Sequence, residues 1–205
     1  MYPLNLTEDA ETACRALMRI CADWESAAHN FLAEEVDSDL LESSVNFLSL
    51  TQSAQCLSYL ARIVTEGERF TFARIRDCVE SHVVQINNPM LTHLYEKNRS
   101  LLDSTWEKSL NSLRDWMLVD LRDARGWQTM KVLIELRNAS AHGGGRFTDR
   151  QRKNSQEFKK LVVEVKAMGY EIQNLRVIAY PDSVRDAAYA VREFILSVDS
   201  FTQFG

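Results

Sequence analysis

Arg137, Asn138 and His142 stand close together in the chain, and directly behind them it reads Gly143-Gly144-Gly145. A guanidinium is a permanent cation whose planar fork fits a phosphate. An imidazole exchanges protons near neutral pH, and a carboxamide both donates and accepts, so it can orient either of the others. Together these are three of the tools needed to cleave RNA without a metal. Glycines behind apolar residues at helical spacing predict a helix stopped at that point, with the three residues on its last turns. Five residues of helix turn the chain by about 140° and advance it by about 7.5 Å. Arg137 and His142 are therefore offset around the axis, on either side of a groove, whereas Asn138 and His142 share a face. A structural reason would also account for the histidine alone, since an imidazolium interacts well with the carbonyl end of a helix. Arg137 would then be a surface cation or an ion-pair partner.

The run Arg137-Asn138-Ala139-Ser140-Ala141-His142 resembles the Arg-x4-6-His signature of the HEPN superfamily, in which the first intervening residue is typically polar. The resemblance in sequence is local, from about Trp127 to Arg150, and the remainder agrees only in being helical and of suitable length. It implies a homodimer in which two motif helices face each other across the dimer axis and form one composite site. It also implies a metal-independent endoribonuclease with no cofactor, leaving a 2′,3′-cyclic phosphate and a 5′-OH. On that reading His142 takes the proton from a ribose 2′-OH, and Arg137 neutralises the charge developing on phosphorus. Asn138 orients His142 or binds the phosphate, and Ser140 is a minor candidate for a backbone or phosphate contact. A toxin or defence effector of this kind needs restraint, so an antitoxin or regulatory protein is the implied partner beside RNA. The competing expectation is a non-catalytic HEPN-like module that binds RNA, a nucleotide or a protein and dimerises through the same helix. A third is an unrelated helical adaptor carrying a chance motif.

Charge is distributed unevenly. The net charge is −5, a poor fit to a protein living on nucleic acid, but residues 1–60 carry ten acids against two bases while residues 137–166 carry eight bases against three acids. The motif thus opens into the most basic stretch, and Arg146, Arg150, Arg152 and Lys153 are the expected contacts to an RNA backbone. A solvated helix face is the plainer explanation of the same run. His29, His82 and His93 have no companion at a metal-ligand spacing, and no phosphate-binding glycine motif occurs. Cys14, Cys21, Cys56 and Cys78 form no CxxC pair and read as reduced thiols in a cytoplasmic protein, with Cys14 and Cys21, seven apart on one helical face, as small core residues. No apolar run approaches a membrane span, and the first residues lack a secretory pattern.

The elements that would position the motif are helical throughout. With 205 residues and 45% apolar composition, the expectation is a single all-α domain over 1–205. It would be a bundle of five to seven helices with long antiparallel neighbours. Thr7 caps a first helix to about Ala33, with Phe31 on its stripe; a second starts at Asp37 or Asp39 and ends near Gly67, carrying Leu41, Val45 and Leu48. A shorter one runs from Thr71 to Ile86. Helix continues from Met90 to about Arg125 with a bend or register change near Asn98–Asp103. The motif helix covers Trp127 to about Ala141, with Met130, Leu133, Ile134 and Leu136 facing a core. A basic helix capped by Thr148 or Asp149 reaches Ala167. Residues 174–180 read as one short extended segment before a last helix. Trp24, Trp106, Trp116 and Trp127 fall on apolar stripes.

Overall fold

The computed structural model describes residues 6–35, 42–102 and 104–203, with backbone alone for 29–35, 42–49 and 203. Among the described residues the chain is all-α, with eight helices and one small hairpin. In chain order these are α1 (Glu8–Glu35), α2 (Glu42–Ile86), α3 (Pro89–Asn98), α4 (Trp106–Met117), α5 (Trp127–Gly143), α6 (Asp149–Arg152) and α7 (Ser155–Ala167), then β1 (Glu171–Gln173), β2 (Arg176–Ile178) and α8 (Pro181–Gln203). No described helix is long and apolar enough to cross a membrane.

Local chemistry explains most boundaries. Thr7 Oγ1 accepts from the Ala10 amide at 3.3 Å, and Glu8, Asp9 and Glu11 follow in the first turn, where anions suit the helix dipole. Asn88 accepts from the amides of Met90 and Leu91, with Pro89 opening α3. The start expected at Asp37 or Asp39, and the side chains of Phe31, Leu41, Val45 and Leu48, lie outside the described residues.

Four boundaries differ from expectation. Gly67 does not end a helix: α2 continues through it to Ile86. The buried stripe Leu60, Ile63, Val64, Phe70, Ile75, Val79 and Val83 passes over it unbroken, and outweighs the roughly 1 kcal/mol that a mid-helix glycine costs. The helix expected to reach Arg125 stops at Met117, where Leu118 adopts φ 59° and its N–H bonds the Arg114 carbonyl at 2.9 Å. The expected bend earlier in that stretch is present as a 3₁₀ turn at Arg99–Leu101. The basic helix is two, because the Asn154 side chain caps a fresh start at Ser155. The expected single extended segment is the second half of a hairpin. Glu171 pairs with Ile178 and Gln173 with Arg176, and Asn174 and Leu175 form the turn with φ 48° and 65°. These splits, with the fusion at Gly67, turn the expected five to seven helices into eight.

The chain divides into two compact units. The first comprises residues 1–14, 66–128 and 192–205. Its core holds Leu110, Leu113, Leu121, Phe194 and Val198, and the rings of Phe72, Trp106, Trp127 and Phe194 pack in tilted contact with centroids 5.0 to 6.2 Å apart. Fully buried Asp199 accepts from the Thr7 amide at 3.1 Å and the Thr7 hydroxyl at 2.6 Å, holding the start of α1. The second unit comprises residues 15–65 and 129–191. Trp24 packs against Tyr59 with the rings tilted, and Leu57, Leu60, Met130, Leu133, Leu136, Val165, Val177 and Val184 fill its core. Cys56 is buried there, and desolvation pushes its thiol up to about 12.

Candidate active site

The motif helix forms where the sequence places it, and most of its circumference is buried. Leu133, Leu136 and Ala139 are fully buried, and Met130, Val132 and Ile134 nearly so. At about 100° per residue those positions leave a strip of one side open. Lys131, Glu135, Asn138 and His142 fall on it at intervals of three and four, His142 and Lys131 exposed and the middle two half-buried. His142 is the basic residue of the last turn. Arg137 lies about 140° around the axis from His142. It is half-buried and engaged in polar or electrostatic contact. The two are thus offset on one helix rather than stacked, and Asn138 and His142 make no side-chain hydrogen bond among the described residues.

The glycines end the helix in a defined way. Gly144 and Gly145 have φ 56° and 88°, and the Arg146 amide bonds the Gly143 carbonyl at 3.0 Å. Two successive positive φ values make the mirror-image turn that glycine adopts most readily. The Gly145 amide reaches back to the Ala139 carbonyl at 3.0 Å, satisfying an open helix-end acceptor. Beyond the turn the chain docks on β2: the Val177 amide bonds the Gly145 carbonyl at 2.8 Å, and the Phe147 amide bonds the Leu175 carbonyl at 3.0 Å. The turn therefore fastens the end of α5 to the hairpin. A hollow of about 150 Å³ beside it is lined by Ser140, Gly144 and Gly145 with Ser53, Leu57 and Arg176. That is where the structure places Ser140.

A larger cleft, about 430 Å³, lies along α5, α6 and α7. Lys131 and Glu135 contribute from α5, Arg150 and Gln151 from α6, and Glu157, Lys160 and Glu164 from α7. Gln151 builds it. Its amide donates to the Glu135 carbonyl at 2.8 Å and the Glu135 carboxylate at 2.7 Å. Its own carbonyl oxygen accepts from the Thr148 amide at 2.9 Å, closing a capping box at the start of α6. Gln151 was not among the residues singled out from sequence, although Thr148-x-x-Gln151 is a readable capping-box spacing. Lys131 and Glu135 were missed as well; their signal was the polar interval they share with Asn138 and His142.

The expected backbone-contacting cations separate. Arg150 lines the cleft. Arg152 pairs with Asp149 one turn away, and Lys153, just beyond α6, is exposed. Arg146 is exposed and donates from Nη2 to the Asn174 carbonyl at 3.3 Å, at the hairpin turn. Among the described residues no three His, Cys, Asp or Glu side chains are grouped as metal ligands. No family model, no curated protein and no solved structure matches the chain.

Proposed function

We propose that this protein is a metal-independent endoribonuclease of the HEPN type, acting as a homodimer whose composite site is assembled from two copies of the α5 end. The observation that carries the reading is the placement of an exposed imidazole, His142, on the last turn of a helix otherwise packed into a core. Such a support fixes a catalytic group better than a loop would. His142 accepts the proton of a ribose 2′-OH as its oxygen attacks the adjacent phosphorus. Arg137 offsets the negative charge on the phosphorane-like transition state. The P–O5′ bond breaks as the leaving oxygen takes a proton from His142 of the partner subunit, which enters the step as an imidazolium while the first His142 enters it neutral. The products are a 2′,3′-cyclic phosphate and a 5′-OH. Asn138, one turn before His142, orients the imidazole or holds the phosphate. Ser140, Arg146, Arg150, Arg152 and Lys153 are the proposed contacts to the RNA strand.

Dimerisation supplies what one chain lacks. On a single α5 the guanidinium and imidazole diverge by about 140°, so a second copy brings complementary groups to the open strip. A cytoplasmic nuclease of this kind needs a neutralising protein or an activating signal, which places it with toxins or defence effectors. The half-burial of Arg137 favours a second reading, a non-catalytic module that uses the arginine for packing and binds RNA, a nucleotide or a protein. The deciding experiment compares wild type with His142→Ala on a labelled structured RNA in excess chelator. Cleavage that resists the chelator and disappears in the variant supports the nuclease. Equal behaviour of the two proteins supports the binding module.

A further inference from the structure

Building on the ribonuclease reading, we infer that the cleft along α5, α6 and α7 is a subsite for a flanking nucleotide of single-stranded RNA. Lys131 and Arg150 hold its phosphates there, and Glu157 reads the amino group of its base.

Continuity with the candidate active site is the first support. Lys131 and Glu135 line the cleft and stand on the same strip of α5 as Asn138 and His142. Helical side chains lean toward the N-terminus of their helix, so His142 leans toward Asn138 and toward the cleft. Glu135 precedes His142 by seven residues, about 10.5 Å along the axis. A stacked strand advances about 3.4 Å per nucleotide, so the cleft lies about three nucleotides from the bond at His142.

Charge pairing within the cleft is the second. Lys160 is 3.8 Å from Glu164, and Glu135 accepts the Gln151 amide. The side chains of Lys131, Arg150 and Glu157 also line the cleft and make no hydrogen bond or ion pair among the described residues. Two uncommitted cations lining one cleft, from α5 and α6, suit phosphate oxygens. A carboxylate accepts only, so Glu157 repels phosphate and seeks a donor; adenine, cytosine and guanine offer an exocyclic amine, whereas uracil offers only a ring N–H between two carbonyl oxygens that repel a carboxylate. Val132 and Leu161 add apolar surface for a base face. The volume falls within the range of about 300–1,000 Å³ typical of small-ligand sites. A partner peptide would need a complementary acidic-basic pattern, and nothing on the cleft selects a peptide over a nucleotide carrying both features.

The test uses binding, separate from cleavage. Fluorescence anisotropy is measured on short 2′-O-methyl oligoadenylate, oligocytidylate and oligouridylate, which lack the attacking hydroxyl. Wild type and His142→Ala are expected to bind the first two at least about fivefold tighter than the third. Lys131→Ala combined with Arg150→Ala should weaken all three by a common factor and reduce the slope of log affinity against log salt by about 1.4. Glu157→Ala should remove the preference over uridine. All three residues are exposed, and circular dichroism checks that the variants keep their helix. An unchanged salt slope in the double variant, a preference that survives Glu157→Ala, or no binding by wild type overturns the inference. Cleavage lost in His142→Ala with binding indifferent to the cleft variants would refute the subsite and leave the nuclease standing. The expected binding pattern with no cleavage by wild type would refute the nuclease alone.

Discussion

The ends of α4 and α5 solve one geometric problem with different residues. Each helix carries a basic group in its last turn, Arg114 in one and His142 in the other. Each is followed by a residue in the left-handed region, Leu118 at φ 59° and Gly144 at φ 56°. At α5 glycine adopts that conformation without steric cost, and a second glycine continues the turn onto β2. At α4 a leucine adopts it with its side chain 90% exposed, so the roughly 1–2 kcal/mol penalty of the conformation is not offset by burial of that side chain. A chain reversal can thus be imposed by the surrounding structure or written into the residue type. Only the written one stands beside a histidine, an asparagine and a polar strip leading into a cleft.

The comparison can be broken first at the chemistry. His142→Ala should lower the RNA cleavage rate by about 10²–10⁴-fold, whereas Arg114→Ala at the other helix end should leave it unchanged; single-turnover rates on one labelled RNA check both. Next comes the turn. Gly145→Ala places a Cβ 3.3 Å from Leu57 Cδ1 at φ 88°, while Gly144→Ala meets nothing within 4 Å. The first should cost about 2 kcal/mol and the second about 1 kcal/mol in urea unfolding. Equal losses would mean that conformation alone matters at this turn. Leu118→Gly should change stability in the opposite direction, raising it by up to about 1 kcal/mol; a loss would show that the leucine contributes something the geometry does not reveal.

The smallest effect concerns a thiol remote from either end. Burial lifts Cys56 from an ordinary 9.0 to about 12, so the folded protein holds that proton more tightly than the unfolded chain. Its contribution to stability is complete below about pH 9 and is lost as pH rises toward 12. Iodoacetamide at pH 8 should leave Cys56 unmodified in the native state and label it in urea; rapid native labelling would contradict its burial.

How far the sequence reveals this structure depends on the residue concerned. The motif helix was legible because Trp127, Met130, Leu133 and Leu136 repeat at helical intervals and glycines follow. Thr7 and Asn88 likewise mark boundaries by their own chemistry. Gly67 misled, since a single glycine carries less weight than the apolar stripe around it. Leu118 and Leu175 could not be read, because positive φ at a leucine is imposed by tertiary packing. At the candidate site the polar interval Lys131, Glu135, Asn138, His142 was present in the sequence. The cleft was not, because it depends on Gln151 reaching Glu135 from sixteen residues away. The expected basic face was legible as composition only, and folding splits it: Arg150 joins the cleft while Arg152 is paired and Arg146 is held at the hairpin.

Identifying the termini left on RNA by the wild-type protein in excess chelator is the most direct test of the central claim. Proton removal from a 2′-OH by His142 predicts 2′,3′-cyclic phosphate and 5′-OH ends, both absent with His142→Ala. Fragments ending in 3′-OH and 5′-phosphate, or cyclic ends produced equally by the variant, would contradict it.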